Sequence, residues 1–423
     1  RCLRKDPARR FQTMADLKVA LEELKEESDS GKLVAGVPGR RKRVSYWLLF
    51  PALALLLAAV ASVTWWLTRV PKPAPAPVLT RLTSDSGLST DPALSPDGKL
   101  LAYASDRSGD GNLDIWVRQV AGGEPIRLTR DPADEYEPAF SPDGTQIVFR
   151  SEVEGGAIYV VSALGGPARR IIPEGRCPRF SPDGNWIAYW VGSGDTAALI
   201  AVRNRSRMYV APSAGGAPRQ LQPDFFAAAY PIWSPDGKYL LFLGHRDDTL
   251  PPEESVDWWV TPLEPGPPVR TGAFEATRRE KLSGPVAYYS WALVPAAWEP
   301  AGDSLIFSAR FGDSTNLWRI GISPRTWKVT GAPRRLTSGP TLEEKPAVAS
   351  APGAAARVAF AAVTENVDIW SLPVAANQGK VTGEPRQLTH DAAADFHPAL
   401  SPDGSKMVFV SARTGSQEIW IKD

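Results

Sequence analysis

The stretch Asp91–Thr129, DPALSPDGKLLAYASDRSGDGNLDIWVRQVAGGEPIRLT, decides the fold. At its centre stands Ser95-Pro96-Asp97-Gly98. Pro96 presets φ at the first central position of a turn, Asp97 can bond backbone amides, and Gly98 supplies positive φ where the chain leaves. Leu100–Ala104 is short, apolar and bounded by turn residues, so it reads as a buried strand, and Leu113–Val117 reads the same way. Gly122-Gly123 marks a hairpin turn, and Pro125–Thr129 alternates like a half-exposed edge strand. With the segment before the tetrapeptide this makes four short antiparallel strands, the content of one propeller blade.

The tetrapeptide returns at Ser141–Gly144, Ser181–Gly184, Ser234–Gly237 and Ser401–Gly404, with decayed copies at Glu299–Gly302 and Ser350–Gly353. The seven copies lie 40 to 65 residues apart, a period of solenoids and propellers. The third strand recurs as AIYVV (Ala157–Val161), RMYV (Arg207–Val210), DWWV (Asp257–Val260), NLWRI (Asn316–Ile320), VDIW (Val367–Trp370) and EIWI (Glu418–Ile421). Its Trp or Tyr is expected to pack in the core. Residues 78–423 are therefore expected to be all-β, a seven-bladed β-propeller of four-stranded blades. The last unit stops at Asp423 after its third strand, and an extra fourth strand stands at Val78–Thr83. Thr83 precedes Ser95 by the same 12 residues that separate Thr129 from Ser141 and Thr389 from Ser401. Strand 78–83 is thus expected to complete the seventh blade and close the ring, which removes an open edge.

These units, with their Ser-Pro-Asp-Gly, hydrophobic strand, Ile-Trp/Tyr and Gly-Gly, resemble TolB-type β-propeller repeats over about 340 of 423 residues. The resemblance is less close to WD repeats, because no third strand ends in Trp-Asp. It implies the fold and leaves the activity open, since propellers host many.

Upstream, Val44–Thr68 carries no charge over 25 residues. As a helix it would run roughly 37 Å, enough for a hydrocarbon core of ~30 Å. Tyr46, Trp47, Trp65 and Trp66 flank it, and Arg40-Arg41-Lys42-Arg43 precedes it. The expectation is a single transmembrane helix over 44–68, with the N-terminus cytoplasmic and the propeller periplasmic or extracellular. Residues 29–43 read as a basic linker and 69–77 as a Pro-rich spacer. In residues 1–28, Phe11, Met14, Leu17, Leu21 and Leu24 follow helical spacing. The string Cys2–Phe11 (CLRKDPARRF) resembles the last subdomain of bacterial Ser/Thr protein kinases over about 27 residues. That resemblance implies a short α-helical kinase C-terminal tail in which Arg10 is the buried structural arginine. Its glutamate partner is not in this sequence. ATP and magnesium would belong to the missing kinase domain, and no cofactor is expected here. The first residue is Arg rather than Met, so a fragment lacking most of its kinase domain is expected.

A formal net charge of +1 gives no argument for nucleic acid. Cys2 and Cys177 would lie on opposite sides of the expected span, so no disulfide is expected. The sequence holds no Gly-rich phosphate loop, His-Arg-Asp loop, Asp-Phe-Gly or Gly-x-Ser-x-Gly elbow. His245, reading as a loop residue, and His390 and His397 lack zinc spacing, so no metal site is expected. The turn aspartates read as turn formers.

Three long loops point to function: Gly192–Ser206, His245–Val256 and Thr271–Pro295. In a propeller they would emerge on one rim, where binding concentrates. They bring Asp195, Arg203, Arg205, His245, Arg246, Asp247, Asp248, Arg278, Arg279, Tyr288, Tyr289 and Trp291 as candidate ligand-binding residues. The functional expectation is a sensor propeller. It would bind a protein or small molecule and couple that, by ligand-dependent dimerisation, to a membrane-spanning Ser/Thr kinase. The alternative is a membrane-tethered scaffold for protein–protein interaction without catalysis. For a third reading, a propeller hydrolase or lyase, the sequence shows no convergent acid–base pair.

Overall fold

The computed structural model describes Lys18 and residues 79–84, 87–192, 205–284, 293–312, 314–339, 341–349, 356–364, 367–390, 394–411, 413–414 and 418–423. The chain divides into two compact units, Arg1–Leu79 and Thr80–Asp423, and the sheets among the described residues all lie in the second. Its architecture is all-β and propeller-like. Five four-stranded antiparallel meanders follow one another, with inner strands Ser89–Leu94, Glu135–Phe140, Arg176–Phe180, Ala227–Trp233 and Ala297–Trp298. The sixth unit is split. Leu342–Ala349 pairs with Arg357–Val363, while Trp370–Ser371 pairs separately with Arg386–Gln387. The seventh has three strands, Asp395–Leu400, Met407–Ser411 and Glu418–Lys422.

The tetrapeptide turns are built as their chemistry demands. In each of the five intact copies the Ser hydroxyl donates to the Asp carboxylate and accepts the N–H five residues on, at 2.9–3.0 Å. The Gly N–H returns to the Ser carbonyl, and Gly98, Gly144, Gly184, Gly237 and Gly404 all take φ near +70°. The hydroxyl donor and the Lys99 amide hold the Asp97 carboxyl down to about 2. Successive turns stack. A Cβ on Gly144 would lie 3.7 Å from Pro96 Cδ, and one on Gly184 would lie 3.7 Å from Pro142 Cδ.

Apolar clusters fill the wedges between neighbouring units. Ala102, Ile115, Ile147 and Phe149 join the first to the second, Met208, Phe242 and Trp259 the third to the fourth, and Trp258, Leu305 and Phe307 the fourth to the fifth. The third-strand aromatics follow the expectation of burial at Trp259 and Trp318, while Trp370 is 56% exposed. Trp370 sits in the split sixth unit, whose inner pair does not cover it.

Two expectations are corrected. The first concerns the ring. The inner strand of the first unit lies against both strands Leu342–Ala349 and Arg357–Val363 of the sixth. Arg357 Nη1 donates to the Gly98 carbonyl at 3.0 Å, and Leu101 and Tyr103 pack with Ala359. Residues 79–84 form no strand. Leu82 is half-buried against the cluster of Leu101, Tyr103 and Ala359, and its carbonyl accepts from Arg118. The seventh sheet instead sets Met407 and Phe409 against Ile369 of the sixth. A seven-bladed ring closed by strand 78–83 is therefore not what the structure shows.

The second correction concerns the membrane helix and the kinase tail. Among the described residues no helix is long and apolar enough to cross a membrane. The α-helices among the described residues of the second unit are α1 (Pro252–Ser255) and α2 (Ala273–Arg279). The longer, of seven residues, would run about 10 Å against a core of ~30 Å. The kinase tail with Arg10, the linkers 29–43 and 69–77 and the span 44–68 lie outside the described residues. Among the described residues the fold is accordingly all-β and propeller-like, with no helix able to cross a membrane, and the expected single-pass membrane placement is corrected to that.

Candidate functional site: the axial channel

Every inner strand except that of the fifth unit carries a bulge where its register to the second strand slips, and the bulged residue precedes a proline. Asp91, Glu137, Cys177, Tyr230 and Lys345 all hold φ between 48° and 58°, as does His397 in the seventh unit. Positive φ in such residues is strained by on the order of 1–3 kcal/mol, and such strain gathers at functional positions. The bulge turns the strand so that a different side chain from each of five units faces the axis.

The result is a cavity of about 510 Å³ lined from six units: Asp91–Leu94, Glu137–Phe140, Cys177 with Arg179, Tyr230–Ile232, Val294–Ala297 with Ser308, and Glu344–Val348. Its size falls within the range of small-molecule sites. One arc is polar. Lys345 Nζ pairs with Asp91 Oδ1 at 2.8 Å. The Cys177 thiol donates to Glu137 Oε1 at 3.0 Å, and its backbone N–H donates to Glu137 Oε2. The facing arc is apolar, with Tyr230, Ile232, Val294 and Pro295. The Tyr230 ring packs on Trp190 at 5.1 Å.

The electrostatics suit holding rather than bond-making. Burial pushes the Cys177 thiol well up, and the neighbouring Glu137 carboxylate pushes it further, so the sulfur stays protonated and a poor nucleophile. Lys345 is walled in by the channel, which alone would lower its pKa. Asp91 and, further off, Glu137 outweigh that and raise it. Its side chain is still 50% exposed, to channel solvent, so its charge persists through the neutral range. Among the described residues no group of three or more His, Cys, Asp or Glu is placed to hold a metal ion.

Of the rim residues expected from sequence, Asp195, Arg203, Tyr288, Tyr289 and Trp291 lie outside the described residues. Arg205, Asp248, Arg278 and Arg279 are exposed, and Arg279 pairs with Glu275 along α2. His245 is not a loop residue. It ends the strand Tyr239–His245, is buried against Phe226 at 5.2 Å, and burial lowers its pKa. Arg246 lies over Phe225 and Trp259, at 5.8 and 5.7 Å. Arg246 and Asp247 line a second cavity of about 340 Å³ with Asp224, Leu250, Glu254, Ser255, Trp259 and Arg270. Neither Arg278 nor Arg279 lines it.

The channel residues were missed by loop length but had a signal. Asp91, Glu137, Cys177, Tyr230 and His397 each stand four residues before a tetrapeptide serine and directly before a proline. At that fixed position the side-chain chemistry changes from unit to unit.

The similarity to the TolB beta propeller domain family covers residues 80–207 of the 423. No curated protein matches the chain. Among solved structures, TolB from Acinetobacter baumannii is 19% identical with a TM-score of 0.43, covering 60% of this chain and 59% of its own. An oligogalacturonate lyase from Vibrio parahaemolyticus is 13% identical (TM-score 0.42), covering 81% of this chain and 92% of its own. An acylaminoacyl peptidase from Pyrococcus horikoshii is 12% identical (TM-score 0.41), covering 80% and 51%. At these values the similarities carry no functional argument.

Proposed function

We propose that this protein is a binding module that recognises a protein partner by admitting a segment of it into the axial channel. The observation that carries this reading is the ring of bulged residues. Six units are each represented in one open cavity, with a polar arc and an apolar arc facing each other. A peptide has both kinds of surface, and a preformed concave site lowers the entropy cost of holding it. The smaller cavity beside Arg246 and Asp247 would flank the partner on the rim. Coupling of such binding to a Ser/Thr kinase has the Cys2–Phe11 string alone behind it.

The test is a peptide-display selection on the full chain, followed by affinity measurement of the enriched peptides. Ser308→Phe and Ala296→Phe narrow the channel from two units, and melting curves show whether each variant is folded. Binding that falls at least tenfold in a folded variant supports the proposal. Selected peptides that bind both folded variants as they bind the parent refute it.

A further inference from the structure

The channel wall holds polar oxygens that no group among the described residues satisfies. Asp91 is 8% exposed, and while Oδ1 takes Lys345, Oδ2 has no partner. Ser308 is 7% exposed, and its Oγ is also without a partner. A buried polar atom left so costs about 1–3 kcal/mol, and a ligand that donates to it recovers that loss. The ionisable groups lining the channel are Asp91, Glu137 and Glu344 against Arg179 and Lys345. That leaves one net negative charge inside a concave wall, where the field is focused. Glu137 is already engaged with both the thiol and the amide of Cys177. Asp91 Oδ2 is thus the buried channel carboxylate oxygen left without a donor among the described residues. Across the channel stand Tyr230, Ile232 and Val294, an apolar wall with an aromatic ring that favours a cation's company.

We infer that the channel binds a single primary ammonium group on an aliphatic stem. The ammonium donates to Asp91 Oδ2, and the stem lies along Tyr230, Ile232 and Val294. The group comes either from a free alkylamine or from a lysine side chain of the partner, and in the second case the inference rests on the binding-module reading above. One cation neutralises the channel, whereas a carboxylate of the same length would add to its negative charge.

Calorimetry on the full chain tests this with four probes: n-pentylammonium, pentanoate, the capped tripeptide acetyl-Ala-Lys-Ala-amide and its Nε-acetyllysine form. Pentylammonium or the lysine tripeptide is expected to bind, while pentanoate and the acetylated tripeptide do not. Asp91→Asn removes one unit of charge at contact and should weaken binding about tenfold or more. Lys345→Met removes the competing cation and should tighten it. A tripeptide that outbinds pentylammonium assigns the group to a partner lysine, and the reverse order assigns it to a free amine. Failure of both ammonium probes overturns the inference, as does binding unchanged in both folded variants. Should display-selected peptides still be blocked by Ser308→Phe while the ammonium probes fail, this inference falls and the binding module stands.

Discussion

Glu135 opens the inner strand of the second unit and is fully buried. Thr129 Oγ1 donates to its Oε2 at 2.9 Å and Ser151 Oγ to its Oε1 at 3.2 Å. Burial nevertheless pushes its carboxyl from 4.5 up to about 8, opposed by those hydroxyls and reinforced by the nearby Asp114 charge. The sign of the pH effect follows. Below pH 4.5 the carboxyl is protonated in both folded and unfolded chains. Between 4.5 and about 8 the unfolded chain has released its proton and the folded chain has kept it, so stability falls as pH rises. Above about 8 both states are ionised and the loss is complete. At ~1.36 kcal/mol per pH unit the ceiling is roughly 5 kcal/mol. Water admitted on ionisation raises the local dielectric and reduces this to roughly 2–3 kcal/mol. Glu135→Gln keeps an acceptor for one hydroxyl and cannot ionise. The variant should match the parent at pH 5 and exceed it by roughly 2–3 kcal/mol at pH 9. Urea unfolding followed by tryptophan fluorescence at pH 5, 7 and 9 reads the difference. A gap between the two proteins that stays constant across the three pH values would refute the reasoning.

Three further substitutions have expected outcomes. Ser181→Ala leaves the half-buried Trp186 N–H without its 2.9 Å acceptor, the buried Ser181 hydroxyl, and should cost about 1–3 kcal/mol. Ser401→Ala removes the same bonds in an exposed turn, where water replaces them, and should cost under about 1 kcal/mol. Equal losses in thermal unfolding would contradict this account of the tetrapeptide. Asp257 is buried and accepts from the N–H groups of Trp258, Gly272 and Phe274 and from Arg270 Nε. Asp257→Ala should cost about 3–5 kcal/mol and speed amide exchange through α2 at Ala273–Arg279, whereas unchanged exchange there would show that α2 does not depend on this anchor.

The sequence by itself determined the turns, the strands and the class of fold. Ser-Pro-Asp-Gly closes through bonds within six residues, so each copy folds alike wherever it stands. The following apolar run pairs with its nearest neighbour in the chain for the same local reason. Which unit meets which was decided only in three dimensions. The extra copy at Val78–Thr83 ends in the same Arg-Leu-Thr as Arg127–Thr129 and Arg335–Thr337, yet Leu82 packs against Leu101 and Tyr103 of the first unit. That unit in turn packs on Arg357–Val363 of the sixth. Ring closure depends on wedge angles and on side-chain volumes summed over every interface, and a repeat pattern encodes neither. The channel shows the same division. The residue before each inner-strand proline is legible one unit at a time, but Asp91 and Lys345, 254 positions apart, become an ion pair only when the strands converge on the axis. Loop length pointed instead to the rim, because length is a property of the chain, whereas the facing of five bulged side chains is a property of the assembled units.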